Sequence, residues 1–302
     1  MMRRPFPIIR RAPKESRVPV VVSVPHFGIE PLPGVRTEHY REPGYDTFPR
    51  GYTDAFASEV YGDLHHAGAS LVATPYSRLF VDVNRRRDDF GRRGGEIMSG
   101  SGVVRTHLRD HRPLFAQPLG PGAIEERLRR FYDPYHTALD MLVDEATARF
   151  GTVVVLDAHT ASPRRIGDHE VVIGSRRGET ADPCLVDEIV ERFRAYGFHV
   201  ERDVPGYAGG YITRRFGRKS RDDSHAVQVE INAGILMSTT LAEHRERLRL
   251  GHPPLPDPEA VDRARRCMED VVRGLAEAID SMPDVCSSAS GLGMAPMTQA
   301  SW

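Results

Sequence analysis

The chain has 302 residues, 40% of them hydrophobic, enough for one large α/β domain or two small ones. A formal net charge of −1 gives no electrostatic case for a nucleic-acid partner, and no run of about 18 apolar residues offers a membrane span. Three cysteines, Cys184, Cys267 and Cys286, without a CxxC pair, support neither a disulfide framework nor a thiolate zinc site, so any metal should be held by His and carboxylate.

Residues 1–16 read as a basic, flexible tail, too polar for a signal peptide; the expectation is a soluble cytoplasmic protein. Residues 17–25 carry a Val-rich run typical of a strand buried on both faces, with His26 just past it. Residues 27–51, rich in Pro and Gly, predict a long loop. A helix follows at 53–67, with Thr53 as a plausible N-cap, then strands at 69–74 and 78–83. Residues 86–122 read mostly as loop. Apolar positions three and four apart predict a helix over 122–149, kinked or split at Pro134, with His136 on it as a packed or capping residue.

Residues 152–157 form a second Val run, with His159 just beyond. A strand is expected at 170–174, a helix at 182–196, a Gly-rich segment around Gly209 and Gly210, a strand at 225–231 and a helix at 257–280. Residues 283–302 read as a disordered tail. No linker interrupts 17–282, which is taken as a single domain. Strands alternating with helices favour a mostly parallel sheet in an α/β sandwich.

Two imidazoles past buried strands lie where an open α/β sheet places its ligand crevice. Neutral imidazole is a good zinc ligand. A third ligand is needed, and Glu30 or Asp54 can supply it; spacing does not choose between them. Glu230 shares a strand face with Gln228, opposite Val227, Val229 and Ile231. It is either an exposed strand residue or a base beside a metal. In SRLFVDVNRRRDD, Arg78 and Arg85 can bind a carboxylate or polarise a carbonyl. That segment also holds Asp82 and Asn84. Lysine is nearly absent, only Lys14 and Lys219 occurring, so Arg runs such as Arg86–Arg87 say little. Gly209 and Gly210 allow a close backbone approach or a tight turn; no phosphate-loop pattern is present.

In chain order, VPHFG (24–28), TD (53–54), YSRLFVDVNR (76–85), PYH (134–136), DAHT (157–160), AGGYITRRFG (208–217) and HAVQVEIN (225–232) resemble the N-formylglutamate amidohydrolase family. The resemblance implies an α/β fold with a mixed sheet flanked by helices, a zinc-carboxypeptidase-like (phosphorylase/hydrolase-like) sandwich. It implies one Zn2+ per chain held by His26, Asp54 and His159, with Glu230 as general base and Arg85 as a catalytic partner. Arg78, Asn84, Gly209, Gly210 and Tyr211 would contact substrate. The implied partner is a small N-acyl amino acid, most simply N-formyl-L-glutamate, cleaved to formate and glutamate in amino-acid catabolism. The stretch around Asp54, and Tyr211 where a His is expected, depart from the family's deformylase form; they leave the metal residues alone and the substrate open. The rival expectation is a related amidase or a non-catalytic binding protein on the same scaffold.

Overall fold

The computed structural model of the chain describes residues 6–41, 49–93, 96–97, 100–108 and 111–282. Its centre is a seven-stranded mixed sheet. The strands are β1 (Ile8–Arg11), β2 (Val20–Val24), β3 (Ser70–Ala73), β6 (Val153–Ala161), β7 (Val171–Gly174), β8 (Val200–Arg202) and β9 (Ser224–Asn232), in the order β1-β3-β2-β6-β9-β7-β8. Strands β3, β2, β6 and β9 run parallel; β1 pairs antiparallel with β3, and β7 antiparallel with β9. Two short strands, β4 (Arg92–Arg93) and β5 (Glu96–Ile97), pair with each other.

Every residue of β2, β6 and β9 is buried, because helices cover both faces of the sheet. On one face, Val20, Val22, Leu156, Val227 and Val229 pack against α1 (Ala57–Tyr61), α5 (Pro183–Ala195) and α8 (Pro258–Asp280). On the other, Val21, Val153, Val155 and Ala226 pack against α2 (Pro121–Arg127), a π-helical turn (Leu128–Tyr132), α3 (Asp133–Phe150) and α6 (Tyr211–Phe216). The remaining helices are α4 (Pro163–Ile166) and α7 (Leu241–Arg249), the latter opened by a Thr240–Glu243 capping box. None of the described helices is long and apolar enough to cross a membrane.

The mixed sheet between helices matches the expected fold, and the parallel core of it follows from the Val runs. Several local expectations need correction. Residues 1–16 are not a tail throughout: Ile8–Arg11 form an edge strand paired along β3. The helix expected at 53–67 is only α1 and a 3-10 turn, Leu64–Ala67. Thr53 is not its cap: its hydroxyl donates to the Gly28 carbonyl, and Phe56 stands at the N-cap with φ 65°. Residues 78–83 form no strand, although Leu79, Phe80, Val81 and Val83 are buried; an irregular segment fills the core there. The long helical stretch passes through a π-turn before Pro134, which sits in the first turn of α3. Helices α6 and α7 and strand β8 were not expected. The terminal segment 283–302 lies outside the described residues.

Candidate active site

The parallel strands β2, β3, β6 and β9 end along one edge of the sheet, and the chemistry-bearing side chains collect there, as open α/β sheets arrange their ligands. His26 follows β2, and His159 lies inside β6, two residues before its end at Ala161. Strand register sets Glu230 of β9 opposite His159, and Gln228 opposite Asp157. Asp54 comes from the loop before α1. That loop is pinned by backbone: Asp54 N–H donates to the His26 carbonyl at 2.9 Å, and the Thr160 hydroxyl to the Ala55 carbonyl at 2.6 Å.

His26 Nδ1 and His159 Nδ1 lie 3.2 Å apart, with Asp54 Oδ2 at 3.6 Å and 2.8 Å from them. The far nitrogen of each ring faces a fully buried carboxylate. His26 Nε2 is 2.7 Å from Asp82 Oδ1, and His159 Nε2 is 3.0 Å from Asp157 Oδ1. An ionised carboxylate only accepts hydrogen bonds, so each Nε2 carries the ring proton and donates it. Each Nδ1 then turns toward the other ring and toward Asp54, and offers a lone pair there whenever it carries no second proton. Two buried imidazole nitrogens and the half-buried Asp54 oxygen in mutual contact call for positive charge among them, a proton or a metal ion. Their spacing is close to the roughly 3.3 Å between tetrahedral ligands bound at about 2.0–2.1 Å. Nitrogen and carboxylate donors suit zinc and its neighbours in the transition series. Glu30 is exposed and outside this cluster, so of the two acids left open by spacing, Asp54 is the one beside the histidines.

Electrostatics follow from this crowding. Burial opposes ionisation of Asp54, but hydrogen bonds from His159 and His26 outweigh it and hold the carboxyl well below its usual range. Burial also opposes charge on His159, yet the Asp157, Glu230 and Asp54 carboxylates raise it far above an ordinary imidazole. Asp82 is kept ionised against burial by Arg78, His26 and Arg105. Glu230 goes the other way. Burial pushes it up to about 7, with help from the Asp54 charge and against His159 and a 2.5 Å hydrogen bond from Gln228 Nε2.

The other expected residues divide into two groups. Arg78 and Asn84 line the cavity but are engaged within the protein. Arg78 donates twice to Asp82 Oδ2, at 3.2 and 2.8 Å. Asn84 Nδ2 donates to Asp157 Oδ2 at 2.9 Å, while its Oδ1 accepts from Ile212 N at the start of α6. Gly209, at φ +122°, and Gly210 bring the backbone against protein rather than leaving it bare: a Cβ on Gly210 would meet the Asn84 amide at 2.9 Å. Among the described residues, Arg85, 41% exposed, has only long ion pairs, to Asp89 at 3.5 Å and Asp82 at 4.0 Å. Tyr211 lines the cavity and hydrogen-bonds Tyr132, whose hydroxyl donates to the Arg85 carbonyl.

These groups face a cavity of about 710 Å³ that six arginines also line: Arg78, Arg85, Arg86, Arg165, Arg176 and Arg214. Among the described residues, the Arg165 and Arg214 guanidinium groups have no hydrogen bond or ion pair. The sequence reading missed both, and it assigned no role to Asp82, Asp157 or Gln228. Asp157 had a signal: it precedes His159 by two on a strand and so shares its face. Asp82 had one too, an acid inside a run of buried apolar residues. His136 is a packed residue, as expected, held between the Val83 carbonyl and Arg215; burial pushes it down to about 3.

Residues 18–237 match the sequence profile of the family described as N-formylglutamate amidohydrolase. The N-formylglutamate deformylase of Pseudomonas aeruginosa is 30% identical over 231 residues, 72% of this chain and 82% of that protein. The deformylase of Pseudomonas putida is 28% identical over 236 residues, 75% and 84% of the two chains. The N-formylglutamate amidohydrolase of Ralstonia eutropha JMP134 shares the fold, with a TM-score of 0.71 at 22% identity over 91% of this chain and 97% of that one.

Proposed function

Since the chain belongs to the N-formylglutamate amidohydrolase family, enzymes acting on a linear amide, we propose that it hydrolyses N-acyl amino acids, N-formyl-L-glutamate among them, with one zinc ion held by His26, Asp54 and His159. The observation that carries this reading is the meeting of three potential ligand atoms, two imidazole nitrogens and a carboxylate oxygen, each imidazole backed by its own buried carboxylate, beside a second carboxyl group that titrates near neutrality.

A zinc ion bound there supplies a Lewis acid for the amide carbonyl and a water molecule of lowered pKa. The rest falls to the protein's own groups. Glu230 accepts a proton from the water that attacks the carbonyl carbon, and returns a proton to the amine nitrogen as the C–N bond breaks. A group titrating at about 7 is suited to both transfers at neutral pH. Asp82 and Asp157 fix the ring orientation and tautomer of the histidines. Arg85, exposed to the cavity and only loosely paired, stabilises the negative charge that develops on the carbonyl oxygen. Arg165 and Arg214 are free to receive substrate carboxylates. The products from N-formyl-L-glutamate are formate and L-glutamate.

The test is hydrolysis by zinc-loaded protein over a panel of N-acyl amino acids, followed by amine release. Turnover of N-formyl-L-glutamate, lost on Arg165→Ala and Arg214→Ala mainly through KM, is expected. Turnover of no member of the panel overturns the reading.

A further inference from the structure

Gln228 lies two residues before Glu230 on β9, so both side chains share a face of the sheet. It is 6% exposed and lines the arginine-rich cavity. Its flanks are closed. On one side the strand register sets it beside Asp157, whose Oδ1 faces His159 and whose Oδ2 accepts from Asn84 and Thr213. On the other it sits beside Gly174, where the chain passes so near that a Cβ would meet the Tyr207 carbonyl oxygen at 2.5 Å. Among the described residues, the Gln228 side chain therefore makes one hydrogen bond, from Nε2 to Glu230 Oε1 at 2.5 Å. Its own Oε1 is buried and accepts from nothing.

An amide turned the other way would press its oxygen against the Glu230 carboxylate, which when ionised only accepts. Glu230 alone thus sets the sense of the amide. The fold tolerates a buried acceptor without a partner, an unfavourable arrangement, and keeps a donor at Glu230. A glutamate side chain has three rotatable bonds, and fixing them costs entropy. Donation to Oε1 fixes the rotation of the carboxylate. It leaves Oε2, which has no hydrogen bond among the described residues, as the oxygen available to take a proton. We propose that Gln228 is a positioning residue for the hydrolysis: through its hydrogen bond to Oε1 it holds Glu230 in the orientation that presents Oε2 to the attacking water and to the leaving nitrogen. This inference rests on the hydrolase reading and on Glu230 as its base. Gln228 acts through Glu230 rather than on the substrate, since its own oxygen is sealed.

The test is a double-mutant cycle on the zinc-loaded, full-length protein. Gln228→Met keeps the length of the side chain and removes the donor. It is compared with wild type, Glu230→Gln and the double variant on the best substrate of the N-acyl amino acid panel at pH 8, with zinc content and circular dichroism measured alongside. In the wild-type background kcat should fall roughly 10–100-fold, with KM, zinc content and the spectrum unchanged. In the Glu230→Gln background the same substitution should cost nothing further, because its effect on the reaction runs through Glu230. Should the Met variant fold poorly, Gln228→Leu repeats the cycle. A wild-type kcat in Gln228→Met overturns the proposal. So does an equal loss in both backgrounds, which would make Gln228 a packing residue, and so does a raised KM at unchanged kcat, which would make it a substrate contact. Each of these results leaves the hydrolase reading standing; a wild-type protein that turns over no member of the panel sinks both.

Discussion

Glu230 concentrates the chemistry in one carboxyl group. Its burial opposite His159 on the neighbouring strand raises it from 4.5 to about 7, so it is ionised only from neutral pH upward. A base must be ionised to accept a proton. The acid limb of kcat/KM should therefore fall about tenfold per pH unit below about 7, and Glu230→Gln should remove that limb and lower kcat by roughly 10²–10⁴-fold. Zinc content should stay unchanged, because Glu230 is not among the three clustered ligand atoms. The same shift acts on stability with a definite sign. The folded pKa lies above the unfolded one, so the folded state binds more protons between 4.5 and about 7, and burial of the charged form costs stability as pH rises through that window. Thermal unfolding at pH 8 should thus show Glu230→Gln with a higher Tm than the wild type, even as activity is lost. A lower Tm accompanying the lost activity would mean that Glu230 holds the fold rather than the reaction.

Strand β6 shows how an element turns sequence spacing into site geometry. Asp157 and His159 alternate onto one face, where Asn84 and Thr213 both donate to Asp157 Oδ2, leaving Oδ1 for His159. Asp157→Asn keeps an oxygen for Asn84 and Thr213 but offers His159 an N–H. The ring must then carry its proton on Nδ1, where the metal would bind. Zinc affinity should fall roughly 10–100-fold with the circular-dichroism spectrum unchanged, measured by competition with a chelating dye. Much at this scale was legible in the sequence. The Val runs gave β2, β6 and β9, and a spacing of four gave α5, because fully buried strands and amphipathic helices leave periodic traces. Both strand-end histidines and Glu230 could be placed at the sheet edge for the same reason. Asp54 could not be separated from Glu30 on spacing, since the loop that delivers it is shaped by long-range bonds to the His26 and Gly28 carbonyls. The strand expected at 78–83 failed because apolar residues bury equally well in an irregular segment when side chains such as Asp82 and Ser77 take over the backbone's hydrogen bonds.

Across the whole molecule, the acceptor cluster joins parts of the chain that are distant in sequence. His26 follows one central strand, His159 lies near the end of the next, and Asp54 belongs to the loop leading into α1 on the opposite face from α3. Three acceptors in contact, two of them buried, repel one another unless a proton or a metal ion lies among them. A metal ion that binds the folded state and finds no assembled site in the unfolded chain stabilises the fold by mass action, about 2.7 kcal/mol at a free concentration one hundred times its Kd. For a domain of this size that corresponds to a Tm rise of roughly 5 °C or more. Removal of metal with a chelator should therefore abolish hydrolysis and lower Tm together. Stoichiometric zinc should restore both, at about one ion per chain. His26→Ala and His159→Ala should each lose bound zinc and the zinc-dependent part of Tm, even though each relieves one repulsive contact in the metal-free protein. A Tm indifferent to the chelator, with zinc retained in either variant, would remove that histidine from the ligand set and leave the clustered acceptors to be satisfied by protons alone.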